Sequence, residues 1–186
     1  MNGKPCAGTA EKSIVEKNKA LFLDRDGVIN EDVRYAHRRG QIRFCEGIFD
    51  LCKAALAKGY LLVVVTNQAG VAKGHFTEAE VRNLHRWIAD RFAAKGIRFT
   101  AFYYCPFHTD GSVPEYRKES ECRKPKPGMF VAAAAEHDID LSASLMIGDK
   151  PSDRIELPGL RCIIVKSAYT PEGYDVPTIR DVIPLL

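Results

Sequence analysis

Asp24 and Asp26 close the apolar run Ala20-Leu21-Phe22-Leu23, with Arg25 between them and Gly27 after them. A short apolar run stopped by a turn signal reads as a buried strand. Open α/β sheets bind their ligands beyond the carboxyl ends of such strands. Two carboxylates at that place suit a hard cation and chemistry on a phosphate. Hydrolysis of a phosphate monoester is among the slowest uncatalysed reactions, and enzymes accelerate it by up to about 10²¹-fold. Asp24 is a candidate nucleophile that would divide the displacement into two steps through an aspartyl-phosphate. Asp26 is a candidate acid for the leaving oxygen and a base for the water that follows.

Other strand ends carry similar groups. The uncharged run 60–65 ends in Thr66-Asn67-Gln68, the run 99–104 ends at Cys105, and Leu145-Met146-Ile147 ends in Gly148-Asp149-Lys150. A fifth strand is expected over 161–165. Packing needs no acid at a strand end, and desolvating an unpaired carboxylate costs free energy. The acids therefore read as parts of one site. Mg2+ would take the Asp24 and Asp149 carboxylates and the backbone carbonyl of Asp26. The Thr66 hydroxyl would bind phosphoryl oxygens, and Lys124 would supply fixed positive charge.

The elements that must position these groups are legible from periodicity. Ile48, Phe49, Cys52, Ala55 and Leu56 have helical spacing within 46–58, and Gly59 is a stop. Thr77 and Glu80 fit a capping box for a helix with Val81, Leu84, Ile88 and Phe92 on one face. Pro127 suits the first position of a helix running to about 137, a short helix is expected after Ser152, and 178–183 has a weak helical signal. Strands alternating with helices predict a three-layer, Rossmann-like α/β domain, a parallel sheet with helices on both faces. No segment is long enough for a large cap domain, so the loops 31–45 and 105–123 must shape the substrate pocket.

At 186 residues, 46% apolar and 27% charged, the chain reads as one globular domain over 20–186 behind a flexible polar arm, 1–19. A net charge of +3 gives no reason to expect nucleic acid, and no apolar stretch reaches the length of a membrane span. The arm has no apolar block of a secretion signal, so a cytoplasmic monomer is expected. Cys52 and Cys162 read as core residues, and His75, His85 and His137 as helix or surface positions without a partner.

LFLDRDGVIN, VVVTNQAG, the lysine of CRKPKPG and IGDKPSD resemble, in that order, the four motifs of the haloacid dehalogenase superfamily of phosphatases. TNQAGVAKGHFTEAE, YYCPFHTDGSVPEYR and CRKPKPGM are closer still to the heptose-bisphosphate phosphatase family within it. The resemblance spans 20 to about 153 and implies a magnesium-dependent phosphatase of a small sugar phosphate. It makes Asp24 the nucleophile, Asp26 the acid/base, Asp149 a Mg2+ ligand, and Thr66 and Lys124 the phosphoryl-stabilising pair. It places Arg123 on the rest of the substrate, with Asp32, Tyr35, Asn67 and Gln68 nearby. The histidinol-phosphate phosphatase domain shares much of the pattern. Arg123 beside Lys124 favours a doubly anionic sugar over an amino-alcohol phosphate. A non-catalytic binding protein on this fold is the remaining alternative, but a binder has no need of Asp26.

Both families usually carry structural zinc in the long loop, on ligands spaced C-x-H and C-x-C. Here Cys105 and Cys122 remain, but Phe107 and Ser120 stand at the other two positions, and neither is a normal zinc ligand. Cys105, His108 and Cys122 make at most an incomplete zinc site. The expectation is a zinc-free loop packed on Phe107 and Tyr116. Elemental analysis of the purified chain should find zinc well below one ion per molecule; stoichiometric zinc would refute this.

Overall fold

The computed structural model describes residues 17–186. Most of the expected arm, 1–16, lies outside the described residues. The folded part begins before residue 20. The Asn18 amide donates to the Asp138 carbonyl at 2.9 Å, its side chain donates to the His137 carbonyl at 2.9 Å, and Lys19 opens the first strand.

Five strands form one parallel sheet: β1 (Lys19–Leu23), β2 (Tyr60–Asn67), β3 (Ala101–Cys105), β4 (Leu145–Gly148) and β5 (Arg161–Ile164). Their order is β3-β2-β1-β4-β5. The chain moves outward from β1 to β3, then crosses to the other side of β1 for β4 and β5. That reversal is the switch point at which such sheets open a ligand crevice.

The central strand is buried on both faces, which explains its unbroken apolar run. Alternation sends Leu21 and Leu23 into one core and Ala20 and Phe22 into the other. The first core lies under α1 (Ile48–Ala57), α2 (Glu78–Ala93) and a C-terminal 3₁₀ segment, Ile179–Leu185. The second lies under α3 (Gly128–His137), where the rings of Phe22 and Phe130 are 5.0 Å apart. The expected three-layer architecture is thus the observed one. Among the described residues no large cap covers the sheet, and no helix is long and apolar enough to cross a membrane.

The capping box forms as expected: Thr77 Oγ1 accepts from the Glu80 amide at 3.2 Å and Glu80 Oε2 accepts from the Thr77 amide at 2.7 Å. Other boundaries shift for local reasons. Gly47 takes a left-handed φ of +83° as the N-cap, so α1 opens at Ile48 instead of residue 46. Pro127 is the N-cap of α3 and not its first residue, because its carbonyl accepts the first helical bonds from Phe130 and Val131. The helix expected after Ser152 is a single 3₁₀ turn, Pro151–Asp153. Asp153 turns back there, its Oδ2 accepting from the amides of Asp149 at 3.1 Å and Lys150 at 3.0 Å.

Candidate active site

The strand ends converge on the ammonium of Lys124. Its Nζ lies 2.9 Å from Asp24 Oδ1 and 2.6 Å from Asp153 Oδ1, and donates to the Val65 carbonyl at 3.0 Å. All three side chains are buried. Burial alone would push the Lys124 pKa down; the carboxylates of Asp153 and Asp24 more than reverse this and raise it, so the group stays charged. The backbone of Lys124 is clamped by Asn67, whose side-chain amide donates to its carbonyl and accepts from its N–H, both at 3.1 Å. Asn67 lines the cavity as expected, but its polar atoms position Lys124.

Asp24, Asp149 and Asp153 bring one carboxylate oxygen each within 4.8 Å of one another. Asp149 Oδ1 is buried without a hydrogen-bond partner, and Lys150 Nζ stands 3.9 Å away. Gly27, at φ +103°, makes this closeness possible: a Cβ there would sit 2.2 Å from the Asp149 carboxyl carbon. Burial raises the Asp24 pKa. Burial, with Asp24 and Asp153 adding to it against Lys150, pushes the Asp149 carboxyl up to about 7. A surplus of buried carboxylate around an orphaned oxygen fits a hard divalent cation such as Mg2+.

The carboxylate cluster differs from the ligand set expected from the sequence. Asp26 adds no side-chain oxygen to the cluster, and its carbonyl, the atom the sequence reading assigned to the metal, lies 3.5 Å from Lys150 Nζ. Asp153 joins the cluster, although sequence reasoning left it out of the ligands. The signal was Gly148: a Cβ at that residue would lie 2.1 Å from Asp153 Cβ, so the glycine marks a close approach.

The Asp26 carboxylate is held from three sides. Asn30 Nδ2 donates to Oδ1 at 2.9 Å, Gln68 Nε2 to Oδ2 at 3.1 Å, and Arg25 Nη2 to Oδ2 at 2.8 Å. Gln68 also donates to Thr66 Oγ1 at 2.9 Å. It was expected against substrate; it is buried and ties Asp26 to Thr66.

Above these groups is a cavity of about 460 Å³. The expected Asp32, Tyr35 and Arg123 line it, joined by Arg34, Lys150 and Tyr169, which sequence reasoning missed. Lys150 Nζ pairs with Asp32 Oδ2 at 2.7 Å. Arg34 and Tyr35 have φ of +55° and +54°, uncommon for non-glycine residues. The Asp32 side chain accepts from the Arg34 amide at 2.8 Å, and the Tyr35 hydroxyl accepts from Lys73 at 3.0 Å.

In the loop 105–123, the rings of Phe107 and Tyr116 are 5.9 Å apart and Lys118 lies 4.4 Å from the Phe107 centroid. Cys105 and Cys122 are free thiols. His108 Nδ1 accepts from the Asp110 amide at 3.0 Å. Among the described residues, Cys105, His108 and Cys122 do not form a metal-ligand cluster of the kind that Asp24, Asp149 and Asp153 make.

His85 was expected to be partnerless, yet it is buried on α2 with Nε2 3.2 Å from Arg25 Nη1. The sign of this was available, since residue 85 falls on the apolar stripe of 81, 84, 88 and 92.

Comparison with known proteins identifies the family of the chain. A family model described as "HAD-hyrolase-like" matches residues 121–171. The chain is 47% identical over 134 residues to the D-glycero-beta-D-manno-heptose-1,7-bisphosphate 7-phosphatase of Vibrio cholerae, covering 72% of each. It is 48% identical over 137 residues to the D-glycero-alpha-D-manno-heptose-1,7-bisphosphate 7-phosphatase of Burkholderia mallei, covering 74% of this chain and 72% of that one. Among solved structures, the D,D-heptose 1,7-bisphosphate phosphatase of B. bronchiseptica, complexed with magnesium and phosphate, superposes with a TM-score of 0.73 at 25% identity, covering 90% of this chain and 97% of that one. The chain belongs to the haloacid dehalogenase superfamily of phosphatases, in its heptose-bisphosphate 7-phosphatase family.

Proposed function

We propose that the chain is a Mg2+-dependent phosphatase that removes the 7-phosphate of D-glycero-D-manno-heptose 1,7-bisphosphate. The observation that carries this reading is the convergence of Asp24, Asp26, Thr66 and Lys124 on one cavity beside the cluster of Asp24, Asp149 and Asp153. The Asp24, Asp149 and Asp153 carboxylates and the Asp26 carbonyl would hold Mg2+, which would supply the positive charge that lets an anionic nucleophile meet an anionic phosphate.

The chain's own residues do the rest. The Asp24 carboxylate forms a bond to phosphorus as the bond to the sugar oxygen breaks. The leaving oxygen takes the proton of Asp26. Asp26, now a carboxylate, removes a proton from water, whose oxygen attacks the phosphorus of the aspartyl-phosphate. Inorganic phosphate leaves, and both aspartates return to their starting states. Lys124 fixes the aim of Asp24 at 2.9 Å and, with the Thr66 hydroxyl, faces the charge that builds on the transferring group.

The pocket chemistry supports a sugar bisphosphate over histidinol phosphate. Arg34 and Arg123 line the cavity, and two guanidiniums suit a second phosphate and repel an amine. The loop 105–123 is read as zinc-free, held by Phe107 and Tyr116.

Phosphate release from both anomers of heptose 1,7-bisphosphate and from histidinol phosphate tests the reading in one experiment. The sugar is expected to turn over with the higher kcat/KM, and Asp24→Asn to lose turnover altogether. Faster release from histidinol phosphate reverses the substrate assignment; an active Asp24→Asn excludes the covalent route.

The cation has its own signature. The raised Asp149 pKa means that the metal-free fold retains a proton, near pH 7 and below, that Mg2+ must expel. This contribution favours the metal-free fold in acid and is lost as pH rises through about 7. The rise in thermal midpoint on adding Mg2+ should therefore be larger at about pH 8 than at about pH 6. Scanning calorimetry at both values checks this, and a larger rise at the lower pH would contradict it.

A further inference from the structure

Arg25 is fully buried, which is unusual for a charged side chain. Its Nε donates to Asp26 Oδ1 at 3.3 Å, and its Nη2 to both Asp26 Oδ2 and the Ala36 carbonyl at 2.8 Å. Its Nη1 lies 3.2 Å from His85 Nε2. A guanidinium has donors only, so Nε2 must be the unprotonated nitrogen of a neutral imidazole. Burial, and then the Arg25 charge, hold the His85 pKa well below its ordinary value, in keeping with that form.

The four contacts fix the plane of the guanidinium. Two of them set the orientation of Asp26. A third anchors the segment that carries Asp32, Arg34 and Tyr35 into the cavity. The fourth refers the group to α2, a helix pinned by its capping box and by Val81, Leu84, Ile88 and Phe92 in the core. Rotation of the guanidinium is thus limited at the far end by His85, from a residue with no contact to the substrate pocket.

We propose that His85 is a positioning residue for proton transfer: acting through Arg25, it holds the Asp26 carboxyl in the orientation from which it protonates the leaving oxygen. This rests on the reading of Asp26 as the acid/base.

The test compares full-length wild type, His85→Gln and His85→Asn with saturating Mg2+. Gln places its Oε1 near the position of Nε2 and can still accept from Arg25. Asn stops near Nδ1 and cannot reach. Single-turnover release of the leaving group is measured with heptose 1,7-bisphosphate, whose alkoxide needs a proton, and with p-nitrophenyl phosphate, whose phenolate departs without one. General acid catalysis supplies roughly 10²–10⁴-fold in all, so partial misalignment in His85→Asn should cost about 10- to 30-fold on the sugar, with KM within about threefold. On p-nitrophenyl phosphate the loss should stay within about threefold, and His85→Gln should stay within about threefold of wild type on both substrates. Equal rates for the Asn and Gln variants overturn the proposal. So does an equal loss on both substrates, which would mark general damage to the site. If wild type hydrolyses neither ester, the phosphatase reading itself fails and the proposal fails with it.

Discussion

The buried ammonium of Lys124 holds the candidate active site together. It joins the end of β1, through Asp24, to the turn after β4, through Asp153, and to β2, through the Val65 carbonyl. Removing one member of a buried ionic cluster leaves the others uncompensated, which costs several kcal/mol. Neighbouring residues can be read as support for this point. Asn67 clamps the Lys124 backbone, and the turn Pro151–Asp153 carries Asp153 back to meet the ammonium. The apolar strands bring the partners to one edge of the sheet, and the polar groups set the final distances.

The site separates into parts with different tasks. The Asp24, Asp149 and Asp153 group is short of positive charge and calls for a cation. The Asp26 group is a neighbouring network of neutral and cationic donors, Asn30, Gln68 and Arg25, that aims one carboxylate. Two aspartates two residues apart thereby sit in unlike environments. That difference suits them to the separate nucleophilic and proton-transfer roles proposed for them. The cavity-lining segment 31–38 belongs to the second group through Arg25 and Ala36, and to the first through Asp32 and Lys150.

Much of this was legible in the sequence, and the reasons differ by residue. The strands could be read because β1 and β2 are buried on both faces and leave unbroken apolar runs. Asp24, Asp26, Thr66 and Asp149 could be read because nothing in packing asks for them at strand ends. Asn67 and Gln68 were found, but their atoms proved to be engaged with Lys124, Thr66 and Asp26, since a sequence does not say which partner an amide meets. The contact of Arg25 with His85 was missed because it spans 60 residues: the apolar stripe signals that His85 is buried, but no local pattern names its partner. Helix ends shifted where a proline or glycine took the cap in place of the neighbouring residue, as at Pro127 and Gly47.

The register of the sheet carries a mechanical implication. Leu23 pairs with Ile147, and the Asp24 amide continues that ladder onto the Ile147 carbonyl at 2.9 Å. Adjacent strands lie about 4.8 Å apart, a spacing set by backbone hydrogen bonds and insensitive to side-chain identity. The separation between the Asp24 carboxylate and the Asp149 carboxylate at the end of β4 is therefore inherited from the backbone ladder of the sheet. Most of the cavity wall comes instead from the connections between strands. Changes in 105–122 can reshape what enters without touching the register that spaces Asp24 from Asp149, whereas 31–38 is tied to Arg25 through Ala36 and to Lys150 through Asp32. In such a fold, the choice of leaving group can drift across relatives while the phosphoryl-transfer geometry stays constant.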